Sequence, residues 1–290
     1  MSDPVPGLVQ RETFRGQPCI RLSARNGDTA LLSLHGAQVL SWVAQGRERL
    51  YLSPDAVLDG HAAIRGGIPL CFPQFNQRGP LPKHGFARTL PWLHMPAGGS
   101  DALACVCLEL TDNPATRAWW PERFAAHLAV SLGDGSLRVQ LAVRHTGKAD
   151  DRPWNFTTAL HTYLRVDDVE RTLLDGLDGC ARWDALTDAR GVQQGPVRFA
   201  GEYDSVFSAP AAPLHLHDGA HHLQITQSAS LCNTVVWNPG AGLSARLADL
   251  PPDGYRSMLC VEAAQIDQPV ALAPGQQWQG WQELRVGPNG

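Results

Sequence analysis

FAAHLAVSLGDGSLRVQLAVRHT, residues 124–146, decides the fold class. Two apolar-rich runs flank Gly133-Asp134-Gly135, a glycine-bounded turn that lets the chain reverse and pair with itself as a hairpin. Upstream, CIRLSA and TALLSL flank Arg25-Asn26-Gly27-Asp28. Asn-Gly tolerates positive φ at both positions and is the strongest short hairpin signal. HGAQVLSWVAQGRERLYLS adds a strand, a turn near Gln45-Gly46 and a strand ending at Tyr51. AGGSD reads as a turn, LACVCLEL as a strand, and LHLHDGAHHLQITQS as a hairpin around Asp218-Gly219. DNPATRAWWPERF reads as a short connection with one helical turn at most, and residues 170–201 as loops and short strands. NTVVWNPG reads as a strand running into a Pro-Gly turn. No stretch carries sustained helical periodicity with caps, and no repeat or flexible linker breaks the chain. The expectation is a single all-β domain over residues 1–290, a large antiparallel β-sandwich.

Composition narrows the function classes. With 24 Lys+Arg against 28 Asp+Glu, the chain has no bulk attraction for nucleic acid or membrane surfaces. No apolar run approaches the roughly 20 residues that span a bilayer. MSDPVPGLVQRE lacks the basic and apolar regions of a secretory signal. Seven cysteines without a CxxC, and with Cys105 and Cys107 sharing a strand face, read as free thiols in a reducing cytoplasm.

Residues 61–92, HAAIRGGIPLCFPQFNQRGPLPKHGFARTLPW, fit neither a helix nor a two-faced strand. Five prolines remove backbone donors, and Gly66, Gly67, Gly79 and Gly85 permit unusual backbone angles. Arg65, Gln74, Arg78, Lys83, His84 and Arg88 alternate there with Phe72, Phe75, Phe86 and Trp92. Such a long loop inside a domain is functional or disordered, and its aromatics argue for function. The expectation is a stiff ligand loop whose cations and amides face an anionic, hydroxyl-rich molecule, over rings that cover a sugar face.

Two further candidates lie on strands. In PWNFTTALHTYLRVDD, Phe156, Thr158, Leu160, Thr162, Leu164 and Val166 fall on one face. Asn155, Thr157, Ala159, His161, Tyr163 and Arg165 fall on the other. His161 sits mid-way along that more polar face; a lone strand histidine is by itself more often a surface or core residue. In SMLCVEAA, Met258, Cys260, Glu262 and Ala264 share a face, so Glu262 has apolar neighbours that would raise its pKa and make it a better proton acceptor. His215, His217, His221 and His222 surround the Asp218-Gly219 turn. They lack Cys or Glu at ligand spacing, so the cluster reads as a solvated hairpin tip without a metal.

RGGIP (65–69), CFPQF (71–75), GPLP (79–82), HGFAR (84–88) and Pro91-Trp92 together closely resemble the signature of the glucose-6-phosphate 1-epimerases. These form the hexose-6-phosphate mutarotase branch of the aldose 1-epimerase (galactose mutarotase-like) superfamily. HTYLRV (161–166), GEYDSVF (201–207) and CVEAA (260–264) match the same family, so the resemblance covers most of the chain. It implies His161 as the catalytic acid and Glu262 as the catalytic base. It further implies substrate contacts from Asp204 and from His84 to a sugar hydroxyl or the ring oxygen. The residue after this aspartate is often arginine in the family and is Ser205 here. Arg65 and Arg88 suit bidentate phosphate contact, with Lys83 standing where relatives often have glutamine. Gln74 is expected either to bond a substrate hydroxyl or to brace the loop.

The implied reaction is interconversion of the α and β anomers of a hexose 6-phosphate, glucose 6-phosphate first, by general acid–base ring opening and closure. Neither a cofactor nor a metal is implied, and the partner is a small sugar phosphate. An aldose 1-epimerase acting on free sugars, or a non-catalytic sugar-binding protein on the same fold, are the alternatives. A polysaccharide-active enzyme would instead want an open groove and a second acidic residue beside the first. The oligomeric state stays open.

Overall fold

The hairpin at residues 124–146 forms the middle of the larger sheet. Phe124–Gly133 pairs with Ser136–His145 without a register break, from Gly133 opposite Ser136 to Phe124 opposite His145. The computed structural model describes residues 8–95 and 103–287, so the turn expected at AGGSD lies outside the described residues. Among these residues the strands form three antiparallel sheets of five, nine and eight strands. Leu8–Phe14, Gln17–Ser23, Thr29–Ser33, Val39–Ala44 and Arg47–Glu48 make the first in simple sequence order. The nine-stranded sheet runs from Val197–Arg198 at one edge to Leu93–Met95 at the other. The eight-stranded sheet carries Tyr203–Ser208, Asn233–Asn238, Met258–Leu272, Trp154–Leu160 and Leu70–Cys71 side by side, with Tyr163–Arg165 also paired to Met258–Leu272.

Strand alternation explains why two of these sheets pack face to face. Val130, Val139 and Leu141 of the larger sheet meet Phe156, Leu160, Leu259 and Val261 of the smaller in one apolar cluster that reaches from Ile20 to Leu284. Each such side chain, fully buried, contributes about 1.5–3 kcal/mol. The intervening residues of the same strands, among them Ala159, Cys260 and Ala264, point the other way and belong to separate smaller clusters. That second face, away from the sandwich core, carries the site.

The short connections obey local rules. Asn113 accepts the N–H groups of Ala115 and Thr116, Thr116 Oγ1 accepts the Asn113 N–H, and Pro114 starts the helix Pro114–Trp119, one reciprocal capping box for barely more than one turn. After Asn233–Asn238, where the sequence suggested only a Pro-Gly turn, the chain makes the helix Gly240–Ser244. Among the described residues no helix is long and apolar enough to cross a membrane.

The loop at residues 61–92 corrects one expectation. Phe72, Phe86 and Trp92 do not offer their rings to a ligand; all three are fully buried in the main core. Phe72 packs against Trp120, Phe124 and Phe156 at 5.3–5.8 Å. Spacing along an irregular loop cannot separate rings that anchor it from rings that face a cavity. The loop lies close to its neighbours: Gly67 has φ 63°, and a Cβ there would collide with Val39 O. Only glycine meets both conditions at once.

Candidate active site

The two catalytic candidates are set side by side by strand register. Leu160 lies opposite Ala263, and Tyr163 lies opposite Cys260. The strand breaks between them at His161 and Thr162, yet the register on both sides is the same, which brings His161 opposite Glu262. His161 N–H turns to Pro69 O at 2.9 Å, tying the break to the long loop. From across the core, Gln282 secures both strands. Its Oε1 accepts the Thr162 hydroxyl at 2.5 Å, and its Nε2 donates to Val261 O at 3.0 Å. It thus holds the residue next to His161 and the residue next to Glu262.

His161 Nε2 stands 3.4 Å from Glu262 Oε1. Glu262 is 1% exposed and His161 7%. Glu262 Oε2 and His161 Nδ1 are both buried without a hydrogen-bond partner among the described residues. An unpartnered buried polar group is costly, so its presence in a folded chain points to use. Burial, reinforced by the Asp204 carboxylate, pushes the Glu262 carboxyl well above its ordinary range, with Arg88 and Lys83 opposing. Burial, then the proximity of His84, Arg88 and Arg65, pushes His161 well below the ordinary histidine range. Tyr163 stacks on the His161 ring at 4.8 Å and 10°, and Trp237 meets it edge-on at 6.1 Å.

Both residues line a cavity of about 270 Å³. Arg65, Lys83, His84, Arg88 and Asp204 line it as well, so seven of the eight residues singled out in the sequence converge there. Gln74 is the eighth: of its two expected roles its contacts fit the bracing one, which corrects its place among the substrate contacts. Its amide nitrogen donates to Asn76 O and Leu81 O, and its oxygen accepts the Leu81 N–H. Gln74 braces the loop and does not reach the cavity lining.

The cations differ in how free they are. Arg65 gives Nε and Nη2 to Asp249 at 3.2 and 3.1 Å and Nη1 to the Tyr163 hydroxyl at 3.1 Å. Burial alone would lower its basicity, but Tyr163 and Asp249 outweigh it and hold the guanidinium charged. Arg88 donates to Lys83 O at 3.0 Å, its Nε is buried without a partner, and among the described residues neither Arg88 nor Lys83 pairs with a carboxylate. Arg78, noted in the loop, also faces the cavity, lies over the Trp183 ring at 4.9 Å and reaches Asp267 at 3.2 Å. Burial raises Asp204 to about 6, helped by Glu202 and Asp184 and opposed by Lys83 and Arg78. Asp204 and Val206 face the cavity while Ser205 between them is fully buried, its hydroxyl accepting from Arg182 Nε at 3.0 Å. The position that is often arginine in the family therefore points away from the cavity here.

Of the four loop rings only Phe75 lines the cavity, and Tyr163, Trp183 and Trp237 from other segments supply the remaining rings. Tyr163 was within reach of sequence reasoning, since alternation puts it on the His161 face. Asp249 and Trp183 carried no local signal. At the histidine-rich hairpin, His217 and His222 meet Nδ1 to Nδ1 at 2.8 Å, with the His215 ring 6.5 Å from that of His217. No group of three His, Cys, Asp or Glu is arranged for a metal among the described residues.

Comparison with known proteins agrees with this geometry. The family model described as aldose 1-epimerase matches residues 18–285. A protein of Cenchrus ciliaris, provisionally named a glucose-6-phosphate 1-epimerase, is 35% identical over 99% of this chain and 90% of its own length. A crystal structure from Salmonella typhimurium, described provisionally as a mutarotase, superposes with a TM-score of 0.87 at 30% identity, covering 97% of this chain and 94% of that one. A galactose mutarotase-like protein of Clostridium acetobutylicum shares the fold at a TM-score of 0.74 and 14% identity, covering 97% and 99% of the two chains. A match spanning nearly the whole sandwich, on a chain whose carboxylate and imidazole meet in a lined cavity, gives the assignment: the chain belongs to the aldose 1-epimerase family.

Proposed function

We propose that this mutarotase acts on hexose 6-phosphates, with glucose 6-phosphate as the first substrate to test, and that Glu262 and His161 carry the proton transfers. The observation behind this is the buried pair at 3.4 Å in a cavity lined by four side-chain cations. Glu262 as carboxylate takes the proton from the anomeric hydroxyl while protonated His161 gives one to the ring oxygen. The C1–O5 bond breaks and C1 becomes an aldehyde. After rotation about C1–C2, the two transfers run in reverse and close the ring on the other face of C1. The pair holds one proton before ring opening and one after it, on His161 first and on Glu262 second. Burial, which raises Glu262 and lowers His161, favours the second distribution, so the first is the higher-energy form from which the ring opens. Burial penalises both the doubly protonated, cationic pair and the deprotonated, anionic pair, so it widens the pH range over which the one-proton state is present. Each positioned group contributes roughly 10²–10⁴-fold. Neither transfer calls for a Lewis acid.

Arg88 and Lys83, without carboxylate partners among the described residues, are the first holders of the phosphate, with Arg65 and Arg78 adding field. Asp204 accepts from sugar hydroxyls, and His84 donates to one or to the ring oxygen. The relative from Cenchrus ciliaris bears a name with the same substrate. One observation favours a second reading, a free-sugar epimerase: Arg65 is already held by Asp249 and Tyr163. Anomeric exchange rates for glucose 6-phosphate and glucose separate the two. A higher kcat/KM for the phosphate ester, lost selectively at high salt, supports phosphate recognition. A preference for free glucose transfers the assignment to the general epimerase.

A further inference from the structure

His84 and Cys71 meet behind the cavity wall in a contact that the acid–base cycle leaves unused. His84 Nδ1 accepts the main-chain N–H of Asn76 at 3.3 Å and lies 3.0 Å from Cys71 Sγ. A main-chain amide offers only a hydrogen, so a hydrogen on Nδ1 would face another hydrogen. Nδ1 is therefore bare, and the neutral ring carries its hydrogen on Nε2. The reciprocal bond from His84 N–H to Asn76 O, 2.9 Å, holds the ring against that amide. His84 itself has φ 66°, an uncommon backbone state for a side chain of this size. Gly85 follows with φ 71°, where a Cβ would collide with Phe72 O. Cys71 is fully buried, and burial raises its thiol, so it stands as S–H with a hydrogen to give.

We propose that Cys71, acting with the Asn76 amide, is a positioning residue that locks His84 in the Nε2–H form, a fixed uncharged donor to the sugar beside the His161–Glu262 pair. The donor role rests on reading the cavity as the sugar site; the lock itself does not. A proton arriving at Nδ1 must displace both donors. Arg88, Lys83 and Arg65 add positive charge around the ring, and His161 stands edge-on at 5.5 Å. Burial, with those three cations, takes His84 down to about 3. Two adjacent histidines thereby separate in function: His161 exchanges a proton and His84 keeps its own.

The lock is read directly by long-range proton–nitrogen NMR on protein labelled with ¹⁵N-histidine, the His84 signals being assigned by their loss in His84→Gln. The wild type should show the Nε2–H pattern at His84 without titration between about pH 5 and 8. An Nδ1–H pattern, or a titration midpoint near 6.5, overturns the lock whatever the activity. In Cys71→Ala, kcat/KM should fall about tenfold and His84 should begin to populate the other tautomer or to titrate, the scale of one lost hydrogen bond. Cys71→Ser, which keeps a donor, should restore both to within about threefold. Wild-type kinetics and an unchanged His84 spectrum in Cys71→Ala overturn the part given to Cys71. The expected spectrum in a protein without anomerase activity on any sugar would uphold the lock and refute the sugar site.

Discussion

Two regions of this chain are rich in histidine, and they share little else. The hairpin at Asp218-Gly219 gathers His215, His217, His221 and His222, with His217 and His222 satisfying one another at 2.8 Å in a mostly solvated setting. The cavity has only His84 and His161, both buried, one with its orientation fixed by an amide and a thiol, the other 3.4 Å from a buried glutamate. Number and proximity of imidazoles favour the hairpin, yet it is the cavity that sets an imidazole against a buried carboxylate. A histidine becomes useful when its surroundings shift its proton affinity and leave part of it unpaired. At the hairpin His217 is lowered too, by burial and by His222 and His215, but it sits at an exposed contact with another imidazole rather than beside a buried carboxylate.

The largest expected effect tests that contrast at its buried end. His161→Asn should lower the anomerisation rate by roughly 10²–10⁴-fold. Combining it with Glu262→Gln should cost little more than either change alone, because the two side chains work as one unit. Stopped-flow polarimetry measures both, and fully multiplicative losses would separate the residues into independent roles. Next comes Arg88→Ala, with one to two decades lost on glucose 6-phosphate and little on glucose, the scale of a charge-assisted hydrogen bond. Equal losses on the two sugars would make Arg88 a loop support.

Smaller effects refine the comparison. Gln282→Leu keeps the volume of the side chain but frees the neighbours of His161 and Glu262, and should lower kcat about tenfold with KM nearly unchanged. A change confined to melting temperature would reduce Gln282 to a core residue. Asp204 adds a pH signature. Its carboxyl is raised to about 6, so it takes a proton as pH falls through that value and kcat/KM should decline several-fold there. The kcat plateau should continue to lower pH, because His161 is shifted below its ordinary range and gains the inactivating second proton only there. On the alkaline side the pair loses its one proton above the ordinary carboxylate range, since Glu262 is raised. Asp204→Asn should abolish the decline in kcat/KM near 6; its persistence would place that titration elsewhere. Finally, His217→Ala with His222→Ala, and exhaustive chelation, should leave turnover within about twofold of wild type; a loss restored by one divalent ion would reverse the ranking of the two regions.

What the sequence disclosed follows from the range of the forces involved. Hairpins at Asn26-Gly27, Gly133-Asp134-Gly135 and Asp218-Gly219 were legible because turn chemistry is local. The faces of residues 154–166 were legible because strand alternation is local too, and it survives the break at His161 because the register is kept on both sides. Interactions between distant segments were hidden. Asp249 meets Arg65 across 184 positions, and nothing near either residue announces it. Phe72, Phe86 and Trp92 were misread as ligand-facing because an irregular loop has no period from which to infer a side. Gln74 admitted two readings, and only the folded loop, with Asn76 and Leu81 brought to its amide, decides between them.

The central claim is that one buried carboxylate–imidazole pair interconverts the anomers of a sugar phosphate. Exchange-transfer NMR between the α and β signals of glucose 6-phosphate, at neutral pH, tests it with wild type and Glu262→Gln side by side. The account predicts fast exchange with the wild type, and in the variant a rate lower by at least about a hundredfold while the folded spectrum and sugar-phosphate binding persist. Exchange in Glu262→Gln at the wild-type rate would contradict it.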